Sequence, residues 1–236
     1  VTSSKPKFRE INWKLKRYGV LVYATDDLLA DTQQLAAIVR EGASEELMFM
    51  GNDDVLNGNG VGGPLGVLTS GAVVEVAKET TVAQAAATIV YENLIKMWAR
   101  ISPRSADRAI WYINTDTKPQ LHQLTMSIGT AGVAAPFMNY GPGGILQIFG
   151  RPVMVTEFNA TIGTVGDIVL ADFGEYLYWE KQGVQEATSI HVEFLTAQTV
   201  FRLLYRCTGE PSIAAALTPY KGTAKTSPFV SLATRA

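Results

Sequence analysis

The stretch Tyr23-Ala24-Thr25-Asp26-Asp27-Leu28-Leu29-Ala30-Asp31 has the composition of a helix start. Thr25 is a candidate N-cap, and the two aspartates after it lie where the helix dipole favours negative charge. Apolar residues then recur at helical spacing. They are Leu28, Leu35, Ala36, Val39, Ala43 and Leu47. We therefore predict one long amphipathic helix from Thr25 to Met50.

A basic segment precedes this helix. Residues 5–23 alternate with period two, which predicts a long strand with Ile11, Trp13 and Leu15 on one face. Its positive charges are Lys5, Lys7, Arg9, Lys14, Lys16 and Arg17, against the single acid Glu10. The rest of the chain is net negative, so this ribbon favours contact between copies. The alternative is a solvated edge strand whose lysines prevent aggregation.

Patterns after the helix alternate between helix and strand. They predict a strand at 73–76, a helix from Thr81 to 102, a strand at 109–114 and a short helix at 117–126. Short apolar runs separated by glycines predict further strands at 145–149, 152–157, 167–173 and 176–179.

The clearest strand pattern is a long hairpin. Val184–Leu195 and Thr199–Cys207 both alternate, with a turn between them near residue 197. This parity predicts that Cys207 is a small buried side chain and that His191 is exposed or at an interface. The residues after Gly222 are rich in Ser and Thr, which predicts a loose tail.

Composition excludes several classes of protein. The 236 residues are 47% hydrophobic and 18% charged, with a net charge of −2. An average soluble domain has about 25% charged residues, so this chain carries about 17 charges fewer than usual. A disordered chain and a globally basic nucleic-acid binder are therefore excluded. Residues 119–150 carry no charge, but glycines and prolines interrupt them too often for a membrane span, so we predict an uncharged contact loop and no membrane partner.

Few residues could support catalysis or bind a cofactor. Gly58, Gly60 and Gly63 match G-x-G-x-x-G, which leaves a nucleotide-binding enzyme as one alternative, although the loop follows a helix instead of a strand. A closed zinc site would need both histidines, Cys207 and a carboxylate. No nucleophile or acid–base constellation stands out. We therefore predict a structural or binding protein that is not an enzyme, with no catalytic residue, cofactor or metal.

The order of several segments resembles the major capsid proteins of tailed phages with the HK97 fold. The segments are residues 23–31, 56–60, 63–68, 150–157, 169–173 and 203–211. The resemblance covers about residues 8–222. It implies an α+β, HK97-like capsid fold with a long spine helix, a peripheral domain with a long β-hairpin, and an axial domain of mixed sheet flanked by helices.

The resemblance also implies a domain organisation. Residues 1–19 would be a remnant of the extended loop, and residues 223–236 a flexible tail. The peripheral domain with its spine helix would comprise 20–75 and 184–208, and the axial domain 76–183 and 209–222. Some relatives crosslink neighbouring subunits through a lysine in that loop. No position of this chain matches that lysine, so no covalent crosslink is assigned.

The implied function is that of the major capsid protein of a tailed phage or prophage. Copies would assemble into pentamers and hexamers of an icosahedral head that encloses double-stranded DNA without sequence-specific binding. A scaffolding protein and the portal are further candidate partners. The expected location is the virion, and the host cytoplasm during assembly. An encapsulin-like nanocompartment shell is the alternative within this fold. The candidate inter-subunit contact residues are Lys7, Arg9, Trp13, Lys14, Lys16, Arg17 and His191.

Overall fold

The computed structural model describes residues 10–235 except 12, 32–33, 81–83, 129–132, 137–138 and 142–143. The helices are α1 (Asp26–Asp31), α2 (Leu35–Asn57), α3 (Tyr91–Trp98) and α4 (Lys118–Gln123). The strands are β1 (Lys16–Thr25), β2 (Val74–Val76), β3 (Ile110–Ile113), β4 (Thr125–Ile128), β5 (Val133–Pro136), β6 (Asn139–Tyr140), β7 (Leu146–Ile148), β8 (Arg151–Val155), β9 (Ile168–Ala171), β10 (Tyr176–Glu180), β11 (Gln185–Glu193), β12 (Gln198–Pro211) and β13 (Phe229–Leu232).

The chain divides into two compact units. The smaller unit comprises Val1–Leu47 and Tyr178–Gly209, and the larger unit comprises Met48–Leu177 and Glu210–Ala236. The predicted peripheral domain differs, because it placed residues 48–75 with the hairpin and residues 178–183 in the axial domain. Residues 48–75 belong to the larger unit since Leu56, Val67 and Ala72 are buried in its core.

The smaller unit is a helix packed on an antiparallel sheet. β1 pairs with β12 along its whole length, and β11 pairs with β12 to form the predicted hairpin. β10 completes the sheet. One sheet face is buried against α2. The residues of this core are Tyr18, Ala24, Ala43, Leu47, Phe201, Leu203 and Cys207. The hairpin and the burial of Cys207 are therefore confirmed.

The predicted strand and helix at the N-terminus have different bounds in the structure. Regular pairing in β1 begins only at Lys16, and β1 turns Tyr18 and Ala24 to the core, on the parity opposite to Ile11 and Trp13. The single helix predicted from Thr25 to Met50 is wrong. Thr25 still pairs in β1, α1 and α2 are separate helices, and α2 continues to Asn57 because Leu56 near its end is buried.

The larger unit is built on a seven-stranded mixed sheet. The strand order is β2-β13-β9-β3-β8-β7-β6, with β13–β2 and β3–β8 parallel. One face packs on α3 through Leu94 and Met97, which surround the fully buried Trp111 of β3. The other face packs on the residues after α2, so the apolar segment of β9 is buried on both sides.

Three further predictions need correction. The flexible tail at 223–236 is wrong, because β13 is an interior strand whose four residues are all buried. The uncharged loop at 119–150 contains the strands β4 to β7. The helix predicted from Thr81 is helical only over Tyr91–Trp98 within the described residues, and Thr81 itself lies outside them.

Candidate interaction surfaces

The described residues contain neither a metal-binding cluster nor a helix that could span a membrane. Within the described residues, no group of three or more His, Cys, Asp or Glu side chains could hold a metal ion. None of the helices over the same residues combines the length and apolar character needed to cross a bilayer.

The loop with Gly58, Gly60 and Gly63, which matches a nucleotide-binding pattern, is held by hydrogen bonds between its own backbone groups and to the end of α2. The amide of Gly58 donates to the carbonyl of Asp54 at 2.9 Å, and that of Gly60 to the carbonyl of Pro64 at 3.1 Å. A Cβ on Gly66 would lie 2.5 Å from the amide nitrogen of Gly58. The glycines of this loop allow close packing of the backbone. Two of the backbone amides that would have to bind a phosphate already donate hydrogen bonds to carbonyl oxygens of the chain.

Those predicted contact residues that the structure describes do not form one patch. Trp13 is half-buried, and its ring centroid lies 5.0 Å from that of Trp179 in the same chain. Lys14 is exposed ahead of β1, while Lys16 and Arg17 are neighbours in a strand and point to opposite faces. His191 is exposed on β11, in agreement with its predicted environment. Lys7 and Arg9 lie outside the described residues.

Arg17 instead shares a sheet face with two arginines of β12 that the sequence did not single out. Arg17 is directly opposite Arg206, and Arg202 is directly opposite Leu21. Strand alternation puts all of them on the sheet face away from α2. Leu21 and Tyr23 share this face and are 55% and 51% exposed. We call Arg17, Leu21, Tyr23, Arg202 and Arg206 the basic sheet face.

The three arginines of this face lack an ion-pair partner among the described residues. No acidic side chain among the described residues lies within ion-pair distance of any of them. Like charges directly opposite each other in an antiparallel pair are destabilising, so Arg17 and Arg206 weaken the isolated sheet.

The outward side of α2 carries the opposite charge. Glu41 and Glu45 are exposed. Ile38, one helical turn before Glu41 on the same side of α2, is 60% exposed. We call Ile38, Glu41, Gly42 and Glu45 the acidic helix face. Arg40 is the only basic residue of α2, and it is directed to the sheet. It forms an ion pair with Glu186 and lies 5.9 Å from the ring centre of Phe201.

The hairpin ends in an exposed apolar tip. Phe194 and Leu195 are 74% and 98% exposed, and Ile190 and Val192 of β11 are also exposed. We call these four residues the hairpin tip. A contiguous apolar patch of this kind usually marks a binding surface, because water solvates it poorly.

A hydroxyl network lies at the junction of β10 and β12. The hydroxyl oxygens of Tyr178 and Tyr205 are 2.9 Å apart, and the Tyr205 hydroxyl donates to Oε2 of Glu180 at 2.6 Å. Burial raises the pKa of both phenols, that of Tyr205 to about 12. Both are therefore neutral near pH 7, and they join the strands instead of exchanging protons.

The comparison of sequences identifies one family. The model of the phage capsid family matches residues 1–222 of the chain. No curated protein sequence matches the chain.

Solved structures share the fold over nearly the whole chain. The capsid of a native GTA particle has 18% identity and a TM-score of 0.72, over 94% of this chain and 73% of that chain. A structure from Gordonia phage Cozz has 12% identity and a TM-score of 0.64, over 99% and 79%. A procapsid of satellite phage P4 that includes the size determination protein has 10% identity and a TM-score of 0.56, over 98% and 82%. The predicted α+β, HK97-like capsid fold is confirmed.

Proposed function

Since this chain belongs to the phage capsid family and is a major capsid protein, we propose that its copies form the pentamers and hexamers of an icosahedral head. The match of the family model over residues 1–222 carries this proposal. The chain acts as a building block and not as an enzyme, and its position in the virion is the capsid.

The surfaces of the smaller unit support self-assembly. The hairpin tip exposes apolar side chains that a lone subunit would leave in water. The basic sheet face holds arginines that have no acidic partner among the described residues. Interfaces bury features of this kind, because desolvated apolar area and paired charges both favour association.

The proposal extends to the contents of the head and to its partners. The head encloses double-stranded DNA without reading its sequence, and a scaffolding protein and the portal take part in assembly in the host cytoplasm. The smaller unit corresponds to the peripheral domain of the family, and the larger unit to the axial domain. The presence of the hairpin and the N-terminal half of α2 in the smaller unit supports this correspondence.

Electron microscopy and native mass measurement of the purified chain test the proposal. We expect rings with fivefold and sixfold symmetry, or closed shells, in equilibrium with free subunits. A chain that stays monomeric at every concentration and salt condition would contradict it. Shells that contain a packaged enzyme and no nucleic acid would favour the encapsulin-like alternative.

A variant at the hairpin tip connects the proposal to the structure. Leu195→Asp places a charge on the most exposed apolar residue of the tip and should reduce assembly, because burying that charge is costly. Tyr220→Asp is the matched control, since Tyr220 is equally exposed and lies outside the tip. Equal loss of assembly in both variants would contradict a specific role for the tip.

A further inference from the structure

We propose that the basic sheet face of one copy binds the acidic helix face of a second copy. The inference rests on the proposed function, because it names the surfaces through which copies associate. It is argued from the arginines of β1 and β12, which have no acidic partner in the described part of the chain, from the carboxylates of α2, and from a glycine in the middle of that helix.

The two faces lie on opposite sides of the smaller unit. Tyr18 and Phe201 point from the sheet towards α2, so the arginines at the intervening positions point away from it. Ala43 and Leu47 point from α2 towards the sheet. Glu45 lies two residues from each, which places it on the other side of the helix. One copy therefore offers positive charge on one side and negative charge on the other.

The charges of the two faces are complementary. Arg17 and Arg206 repel each other across the β1–β12 pair. A carboxylate supplied from outside would remove this repulsion and could accept a two-pronged hydrogen bond from a guanidinium. Glu41 and Glu45 are one helical turn apart and exposed, so they can reach neighbouring arginines together.

Both faces also carry apolar area. Leu21 and Tyr23 lie beside the arginines, and Ile38 lies beside the glutamates. Burying these three side chains would exclude water from the surrounding charges, which strengthens each ion pair. Aromatic residues and arginines are the side chains most enriched at protein interfaces.

Gly42 is an independent sign that another chain approaches α2. Glycine in a helix interior lowers helix stability relative to alanine. Apart from the adjoining backbone of α2 itself, no atom of the described residues lies within 4 Å of a Cβ built on Gly42, so packing within these residues does not require glycine there. Gly42 lies between Ile38 and Glu45 on the acidic helix face, where a missing side chain lets a partner come close to the backbone.

A contact between two different faces is heterologous. Each copy uses its basic sheet face towards one neighbour and its acidic helix face towards another, which produces a closed ring when the rotation between copies closes. Rings of five and six copies are the form expected for capsomers. DNA phosphates would also be attracted to arginines, but they could not use Glu41, Gly42 or Glu45.

Charge reversal on one face and then on both faces tests the proposal in the full chain. Arg17→Glu/Arg202→Glu and Glu41→Lys/Glu45→Lys should each weaken association at least about tenfold, because like charges then meet. The variant with all four substitutions should recover association to within about threefold of wild type, because each reversed face then meets its reversed partner. Thermal unfolding of each variant checks folding, and all four side chains are exposed.

A second variant does not alter charge. Gly42→Ala should raise the thermal stability of the subunit and yet weaken its association, because the new methyl group occupies the contact. Gly62→Ala is the matched control. Besides its two chain neighbours, no described residue has an atom within 4 Å of a Cβ built on Gly62, and Gly62 is far from the acidic helix face in sequence. If the Gly42→Ala variant associates as well as the Gly62→Ala variant, a close approach of the second copy to the backbone of α2 is ruled out.

The outcomes separate this contact from the proposed function. If the wild-type chain associates and the charge-reversed variants associate equally well, the contact between the two faces is overturned and the proposed capsid function stands. Arginine variants that lose only bound DNA show that the basic sheet face serves nucleic acid, and they also overturn it. A wild-type chain that never associates contradicts the proposed function itself, and the contact fails with it.

Discussion

Arg235→Met should strongly destabilise the larger unit, because it removes the charge partner of a buried carboxylate. The side chains of Arg235 and Asp167 are both fully buried and form an ion pair. Arg235 also donates to the carbonyl oxygens of Thr88 at 2.6 Å and Ala233 at 3.1 Å. Methionine fills much of the same space, so the perturbation is mainly electrostatic.

The expected loss in the free energy of unfolding follows from the burial of the Asp167–Arg235 ion pair. Removing one partner of a buried ion pair costs about 3–5 kcal/mol, because the other charge is left uncompensated. Burial already raises the pKa of Asp167 above its ordinary value, although the amide of Gly163 and the guanidinium of Arg235 both lower it. We therefore expect Arg235→Met to lower the free energy of unfolding by about 4 kcal/mol near pH 7.

The loss should depend on pH in a defined direction. Without Arg235 the pKa of Asp167 rises further in the folded chain, while in the unfolded chain it stays at about 3.9. The folded variant therefore binds a proton that the unfolded chain releases. The stabilisation from that proton is complete below pH ~3.9 and is lost as the pH rises through the folded pKa. The deficit relative to wild type should shrink as the pH falls from 7 towards 5.

Urea unfolding followed by tryptophan fluorescence measures the effect, since Trp111 is fully buried in the same unit. Hydrogen exchange of the amides in β13 localises it. The control is Arg235→Met/Asp167→Asn, because asparagine keeps an oxygen for the Gly163 amide, which donates to Asp167 at 2.9 Å. This double variant should regain at least about half of the lost stability, since no charge remains buried.

Two results would refute the reasoning. One is an Arg235→Met variant within about 1 kcal/mol of wild type at pH 7, since a buried unpaired charge costs more than that. The other is a deficit that stays constant between pH 7 and 5 and that the double variant does not reduce. Either result would mean that the ion pair does not stabilise the larger unit through its charge.

Three further predictions concern packing, thiol access and pH. Gly66→Ala should cost about 1–3 kcal/mol in urea unfolding, because its methyl group would lie 2.5 Å from the amide nitrogen of Gly58; an unchanged midpoint would contradict this. Cys207 is fully buried, so a thiol reagent should label it only as fast as the subunit opens, and rapid labelling of the folded chain would show that it is accessible. Tyr178 and Tyr205 have raised pKa values, so the stability that they contribute is present below pH ~10 and is lost as the pH rises through their folded pKa values. If a Tyr178→Phe/Tyr205→Phe variant has less phenolate absorbance than wild type already at pH ~10, burial does not control the titration of this pair.

The hairpin shows what periodicity can predict. Phe201 and Leu203 alternate with polar positions, and the structure buries both. The same alternation puts Arg202 and Arg206 on the outer face. The alternation alone does not reveal that these arginines join Arg17 on one face, because the pairing of Arg17 with Arg206 follows only from the register of β1 on β12.

Other features depend on distant contacts that local patterns do not contain. The segment that forms β13 has a short apolar stretch within a Ser/Thr-rich region, and only its place between β2 and β9 makes it a core strand. The ion pair of Asp167 with Arg235 joins residues 68 positions apart. The end of α2 at Asn57 likewise depends on the burial of Leu56 against Val67 and Phe229.

The interior position of β13 has a consequence for the synthesis of the protein. Ser227, at the start of this segment, donates to the carbonyl of Ala72, which is 155 residues earlier in the chain. The sheet of the larger unit therefore cannot close until its last strand has left the ribosome. Topologies dominated by such distant pairings fold slowly. Until β13 is available, β9 has one unpaired edge and β2 lacks the strand that joins it to the sheet. Newly made subunits are thus most exposed to mispairing with one another during this interval, before any ring can form.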